Sequence, residues 1–246
     1  MYKALAFGLV LAACGGGGNN NTGDDDDGSN TPMADARVFL DAPPSVPAMI
    51  TISGTANDNG QSSSTPLDGA TISLLSVADD SMLATATTGA DGKYSMSVTT
   101  NGHVVDAYVL ATKSGYTDAA AFPAAPFAAD EPKADSNLVT TGNFSLLGFY
   151  TGQMAGKGIA VVAILDASGT AVMGAMVSST PAATYRYSDS NGTPSSTTST
   201  NSDGAAFLIN MTPGTVSVSA TKSGSVFKTH AIKVRANTFT STVIRE

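Results

Sequence analysis

Few side chains in this chain of 246 residues could carry chemistry, and they are scattered. There are two histidines, His103 and His230, far apart and without a His-x-x-x-His pair, so no zinc centre is spelled out. His103 follows Asn101-Gly102, a hairpin-tip signal, and His230 alternates with Ile232 in a strand-like run. Serines are many, yet none stands in a Gly-x-Ser-x-Gly elbow with a base to activate it. Carboxylates gather at Asp24–Asp27, at Asp79-Asp80 and in Asn57-Asp58-Asn59. Such oxygens suit calcium, but an EF-hand loop needs acids at alternate positions, then Gly and a late Glu, and here Gly28 follows Asp27 in the wrong register and no late Glu comes. The reading for that run is a solvated acidic spacer. One cluster has the composition of a contact surface: Tyr185, Arg186 and Tyr187. It lies where the interval Ala175–Thr200 spans 25 residues, against 18 for its counterpart Ala70–Thr88. The extra length predicts a contact loop on a rigid scaffold, or a longer hairpin with Tyr185 and Tyr187 along one strand face. No catalytic, cofactor-binding or metal-ligating set is assigned, and no cofactor is called for.

The remaining reactive group is the single thiol, Cys14. Lys3 supplies a positive charge, and Ala4–Ala13 is an apolar run of roughly ten residues, too short to span a bilayer. The stretch Leu11-Ala12-Ala13-Cys14, with its small residues before the thiol, resembles a bacterial lipobox. The resemblance implies that residues 1–13 are a lipoprotein signal peptide and that Cys14 becomes an acylated N-terminus carrying palmitate-type chains. Gly15, rather than Asp, follows the cysteine, which implies sorting to the outer membrane, facing the periplasm or the cell surface. Each buried CH2 of such an anchor contributes ~0.8 kcal/mol, so two or more chains hold firmly. Residues 14–46, with Gly15–Gly18, Asn19–Asn21 and Asp24–Asp27, read as the lipidated cysteine and a disordered tether, with a typical reach of ~30 Å.

The body beyond the tether is about 200 residues, enough for two domains of about 100 each. Net charge is −8 with no basic cluster, which argues against nucleic acid as a partner. Only 13% of residues are charged, while Thr, Ser, Ala, Gly and Val abound, as in secreted β proteins. A lone cysteine leaves no disulfide, so the core must hold by packing. The chain also repeats. Ala111-Thr112-Lys113-Ser114-Gly115 recurs unchanged as Ala220-Thr221-Lys222-Ser223-Gly224. Gly69-Ala70 aligns with Gly174-Ala175, and Thr88 with Asp91-Gly92 aligns with Thr200 with Asp203-Gly204. Three matches in one order, offset by roughly 110 residues, mark a duplicated domain. Within each copy, Ile72 and Leu74, then Tyr94, Met96 and Val98, then Val216, Val218 and Ala220 alternate with polar residues. That period of two, with turn signals such as Asn101-Gly102 and Pro213-Gly214, predicts short antiparallel strands.

The pattern resembles the carboxypeptidase regulatory-like family, a transthyretin-like sandwich. In copy one the resemblance rests on Ile50–Gly54, Gly69-Ala70, Thr88 with Asp91-Gly92, Tyr94, and Gly115-Tyr116. In copy two it rests on Val161–Asp166, Gly174-Ala175, Thr200 with Asp203-Gly204, and Gly224, while Ser225 stands where a tyrosine belongs. Phe207 falls one residue later than the pattern asks, which leaves that strand's register open.

The expected architecture is therefore all-β: two tandem antiparallel β-sandwiches of transthyretin/Ig type after a disordered tether. The first spans 47–135 and the second 157–246. Residues 136–156 are a linker or inter-domain element, either a terminal strand or a short helix between domains. The expected function is a non-enzymatic, outer-membrane-anchored lipoprotein displaying two modules for binding, adhesion or envelope assembly. Its partners are the membrane through the lipid anchor and an envelope protein or polysaccharide. The alternatives are an accessory subunit of an envelope peptidase or transporter, and a hydrolase with an unrecognised site.

Overall fold

The computed structural model describes residues 45–59 and 64–246. The signal peptide, Cys14, Asp24–Asp27 and the tether as far as residue 44 lie outside the described residues. In the first repeat the strands are β1 (Met49–Asn59), β2 (Ser64–Pro66), β3 (Thr71–Ser76), β4 (Met82–Thr87), β5 (Lys93–Thr99), β6 (Ala107–Thr112), β7 (Tyr116–Thr117), β8 (Ala119–Phe122) and β9 (Ser136–Thr140). Helix α1 (Thr141–Thr151) leads into the second repeat. Its strands are β10 (Gly158–Leu165), β11 (Met176–Thr180), β12 (Thr184–Ser188), β13 (Pro194–Ser195), β14 (Ala205–Met211), β15 (Gly214–Thr221), β16 (His230–Val234) and β17 (Phe239–Arg245).

The protein is all-β, and its two sandwiches share a sheet. Nine strands run in the order β13-β12-β14-β10-β17-β8-β6-β3-β4. A five-stranded sheet containing β2, β1, β9, β7 and β5 covers one end, and the three-stranded sheet β11-β15-β16 covers the other. The two covers lie on opposite faces. Register aligns Val162 with Thr242 and Thr242 with Phe122, so these three point the same way. Val109 aligns with Ala121, one residue from Phe122, and so points to the other face. Val162 and Ile164 pack on Val216, Val218 and Ile232 of the three-stranded sheet. Val109, Ile72 and Leu74 pack on Ile50, Ile52, Tyr94 and Met96 of the five-stranded sheet.

Each repeat is built the same way around its first strand. That strand takes an antiparallel neighbour on one side, β5 on β1 and β14 on β10. The repeat's last strand lies parallel on the other side, β9 on β1 and β17 on β10. β17 is also parallel to β8, which fuses the repeats. These parallel pairings depart from the purely antiparallel sheets expected from the alternation, because each repeat's chain must cross over before its last strand lies down. β10 is buried at all eight positions, since the three-stranded sheet covers one face, while on the other α1 covers Ile159 and Val161 and Ala171 packs by Ala163 and Leu165, and its sequence accordingly reads as one apolar run. The segment 136–156 supplies both elements that were left open. β9 completes the first sandwich. α1, capped by the Thr140 hydroxyl at one end and Gly152 at φ 74° at the other, sets Leu147 against Ile159, Phe207 and Phe239.

The repeated motifs are one clamp made twice. The Thr88 hydroxyl accepts the Ala70 N–H (2.9 Å) and donates to the Leu67 carbonyl (2.6 Å). The Thr200 hydroxyl accepts the Ala175 N–H (2.9 Å) and donates to the Val172 carbonyl (2.6 Å). Both threonines are buried. Gly92 and Gly204, at φ 72° and 65°, press close to the first strand of their repeat: a Cβ would lie 2.7 Å from the Ala56 carbonyl oxygen and 2.6 Å from that of Ile164. Only glycine fits there. The motifs that suggested the family thus tie a turn to two strands.

Candidate functional site

The residues singled out by type are placed as follows. His103 is exposed at its turn, with its N–H bonded to the Thr100 carbonyl. His230 lies in β16, and burial lowers its pKa while Asp106 opposes that shift. Asp79 caps Ser81, and Asp58 accepts a hydrogen bond from the Tyr116 hydroxyl (2.9 Å). Among the described residues no group of three or more His, Cys, Asp or Glu side chains could hold a metal ion.

The expected contact loop Tyr185-Arg186-Tyr187 is corrected. β12 crosses from β11 to pair with β14, which turns both tyrosines into the second core. Tyr187 is buried, and its hydroxyl accepts the Val177 N–H at 3.0 Å. Tyr185 is half-buried, and its hydroxyl accepts the Ser179 N–H at 2.9 Å. Their hydroxyls cap the outer edge of β11, so they are internal fittings of a strand, as the longer-hairpin reading had them. Arg186 bonds the Tyr185 carbonyl and is half-buried. The same crossing settles the register of β14. Tyr187 pairs with Ala206, which faces the sandwich core as Tyr94 does in β5. Phe207 faces the opposite side, under Leu147 of α1.

Sequence reasoning missed the seam between the repeats, where two features meet. On one face Asp80, at the turn before β4, forms ion pairs with Lys233 of β16 (2.9 Å) and with Arg235 just after it (3.0 Å). The Tyr108 hydroxyl donates to Asp80 (2.8 Å) and accepts from Arg235 (2.5 Å), and the Tyr108 ring stacks on Phe122 with centroids 4.5 Å apart. Burial works against ionisation of Asp80, but the Lys233 and Tyr108 hydrogen bonds and the two cations outweigh it, so its pKa lies below the ordinary carboxylate value. All three charged partners are at least two-thirds shielded, which places the cluster between exposed and buried pairs in strength. The pair Asp79-Asp80 stood out in the sequence only as oxygens suited to calcium, because the cationic partners of Asp80 lie some 150 residues on, beyond any local pattern.

On the other face the segment from Pro123 to Asp135 arches over β8 and β17 and encloses a cleft of about 400 Å³. Val109, Ala121, Pro126, Phe127 and Val243 line it, and Arg245 stands at the rim. The arch is pinned to β1. Asp130 accepts the Thr51 N–H and Asp135 the Thr55 N–H, both at 2.7 Å, and Ala134 lies so close to Gly54 that a Cβ there would be 2.6 Å from its carbonyl oxygen. Volume and lining suit a small apolar group or an inserted side chain. Neither histidine lines the cleft.

No family model matches the chain, and no curated protein does. Solved structures with a similar course include the Bacillus anthracis TIE protein, at 13% identity and TM-score 0.27, matched over 80% of this chain and 34% of that one. The shaft pilin SpaA from Lactobacillus rhamnosus GG matches at 13% identity and TM-score 0.26, over 80% of this chain and 97% of its own. GBS52, the minor pilin of Streptococcus agalactiae, matches at 11% identity and TM-score 0.25, over 80% and 96%. The chain spans about a third of the length of the TIE protein chain it resembles. Likenesses this distant assign no role to any residue.

Proposed function

We propose that this protein is a non-enzymatic binding or adhesion module held at the outer membrane by an acylated Cys14. The observation that carries the binding reading is the cleft at the seam. Its floor is apolar and its lining also carries Glu131, Lys133 and Arg245, it is bounded by an arch pinned at Asp130 and Asp135, and it sits where two sandwiches share a sheet. A site at the junction of two packed units is a common place for a ligand. Sharing a sheet also makes the pair one rigid body to present at the end of a tether. The lipobox-like stretch supports the anchor, because two or more acyl chains hold a protein durably. The matching experiment is fractionation of cells making the natural chain or Cys14→Ser. The natural chain is expected in outer-membrane fractions and the variant in soluble ones. A variant that stays with the membrane overturns the anchor. Filling the cleft with Ala121→Trp is expected to abolish adhesion of the cells to envelope protein or polysaccharide surfaces in a variant that circular dichroism shows to be folded, the overpacking costing about 1–3 kcal/mol. Undiminished adhesion in that folded variant overturns the binding reading.

A further inference from the structure

The two repeats treat the same sheet edge differently. In the second repeat, β14 is hydrogen-bonded to β10 on one side and to β12 on the other. In the first repeat β5, the counterpart of β14, is hydrogen-bonded to β1 alone, and among the described residues no strand pairs with its other side. The phase of the ladder shows which groups are left over. The Thr100 N–H bonds the Ala48 carbonyl, and the Ala56 N–H bonds the Gly92 carbonyl. Alternation between those ends makes Tyr94, Met96 and Val98 the residues whose main chain faces β1. Ser95, Ser97 and Thr99 therefore turn their N–H and C=O groups outward, and all three are exposed. Their counterparts in β14 include Phe207 and Ile209, which pair with Arg186 and Thr184 of β12.

Four other sheet ends are blunted. β13 has two residues, one of them Pro194, and β2 has three, ending in Pro66. The outer N–H groups of β11 are capped by the hydroxyls of Tyr185 and Tyr187. β4, across the sandwich from β5, carries a bulge at Leu83. Bulges, prolines and very short strands are the usual ways of discouraging edge pairing. β5 has none of them: it is seven residues long, regular, without Pro or Gly, and charged only at Lys93. A large apolar side chain also lies open nearby: Met49 of β1, opposite Thr99, is 60% exposed.

We propose that β5 pairs with β5 of a second copy of this chain, antiparallel about a two-fold axis. The strand is complementary to itself. With Met96 on the axis, Ser95 faces Ser97, Tyr94 faces Val98 and Lys93 faces Thr99, so no like charges oppose one another despite the net charge of −8. Both bare edges are satisfied at once, and the two five-stranded sheets become one. The bond pattern would be that of β12 on β14, supplied by a neighbour instead of by the chain itself.

The test is sedimentation equilibrium of the full chain carrying Cys14→Ser, so that no disulfide can link copies, from 1 to 200 µM. A monomer–dimer equilibrium is expected. Ser97→Pro removes an outward N–H without touching the ladder to β1, and is expected to weaken dimerisation at least tenfold; Ser97→Ala keeps the N–H and should dimerise normally. Amide exchange supplies an arm that needs no variant: Ser95, Ser97 and Thr99 should gain protection as concentration rises. A chain that is monomeric throughout, a dimer indifferent to a folded Ser97→Pro, or exchange at these three amides that ignores concentration would each overturn the proposal.

Discussion

Thr88 and Thr200 each satisfy one buried donor and one buried acceptor, so their hydroxyls matter more than their size suggests. Replacing either with valine keeps the shape and leaves an N–H and a C=O unpaired, at a cost of about 1–3 kcal/mol. Urea denaturation should show that loss for Thr88→Val and for Thr200→Val, and Thr→Ser should recover most of it. Equal stability in the valine variants would mean that water replaces the hydroxyl. The two threonines were visible in the sequence as part of a repeated spacing, and so were the turns around Gly92 and Gly204. Tyr185 and Tyr187 were visible only by type. Whether a tyrosine offers a surface or caps an edge depends on which sheet its strand joins, and no local alternation encodes that choice.

The elements at the seam make two acid-sensitive contacts. His230 has a pKa lowered mainly by burial, so the stability it carries is fully present above the unfolded value of ~6.5 and is lost as pH falls through the lower folded value. Asp80 has a lowered pKa too, so its share is present above the unfolded carboxylate value of ~3.9 and is lost only as pH falls through the folded value beneath that. Chemical denaturation between pH 8 and pH 3 should therefore show two successive losses. His230→Leu should flatten the upper one and Asp80→Asn the lower. A single loss, unchanged by either substitution, would show that β16 does not communicate with its surroundings through these groups. Strands such as β3, β5 and β15 could be read from alternation because each has one wet face. β10 and β17 are covered on both faces, and neither the apolar run of β10 nor the mixed Phe239–Arg245 stretch gave a sign that β17 would lie beside β8. α1 was ambiguous for a related reason. Phe144, Leu147 and Phe149 fit a helix or a strand equally, and only Leu147 is deeply buried.

The whole molecule should melt as one. The nine-stranded sheet and the core running from Tyr108 and Phe122 to Val162 and Ile232 leave no plane along which the repeats can separate without exposing apolar surface. Ile72→Ala, far from the second repeat, removes a fully buried side chain at a cost of about 2–5 kcal/mol. Scanning calorimetry should then show a single transition moved down as a whole, with calorimetric and van't Hoff enthalpies in agreement. Two resolved peaks, one of them unmoved, would show independent repeats. The duplication was legible as spacing, but the fusion was not, because it depends on β17 inserting between strands more than a hundred residues earlier and some eighty residues earlier. That placement also sets an order of events. While the polypeptide emerges from a ribosome or an export channel, β8 and β10 are already out but β17 is not, and their flanks stay unsealed for as long as synthesis of the intervening residues takes. Folding of this polypeptide thus calls for something to occupy those flanks in the meantime, or for closure of the sheet to wait until Arg245 has emerged.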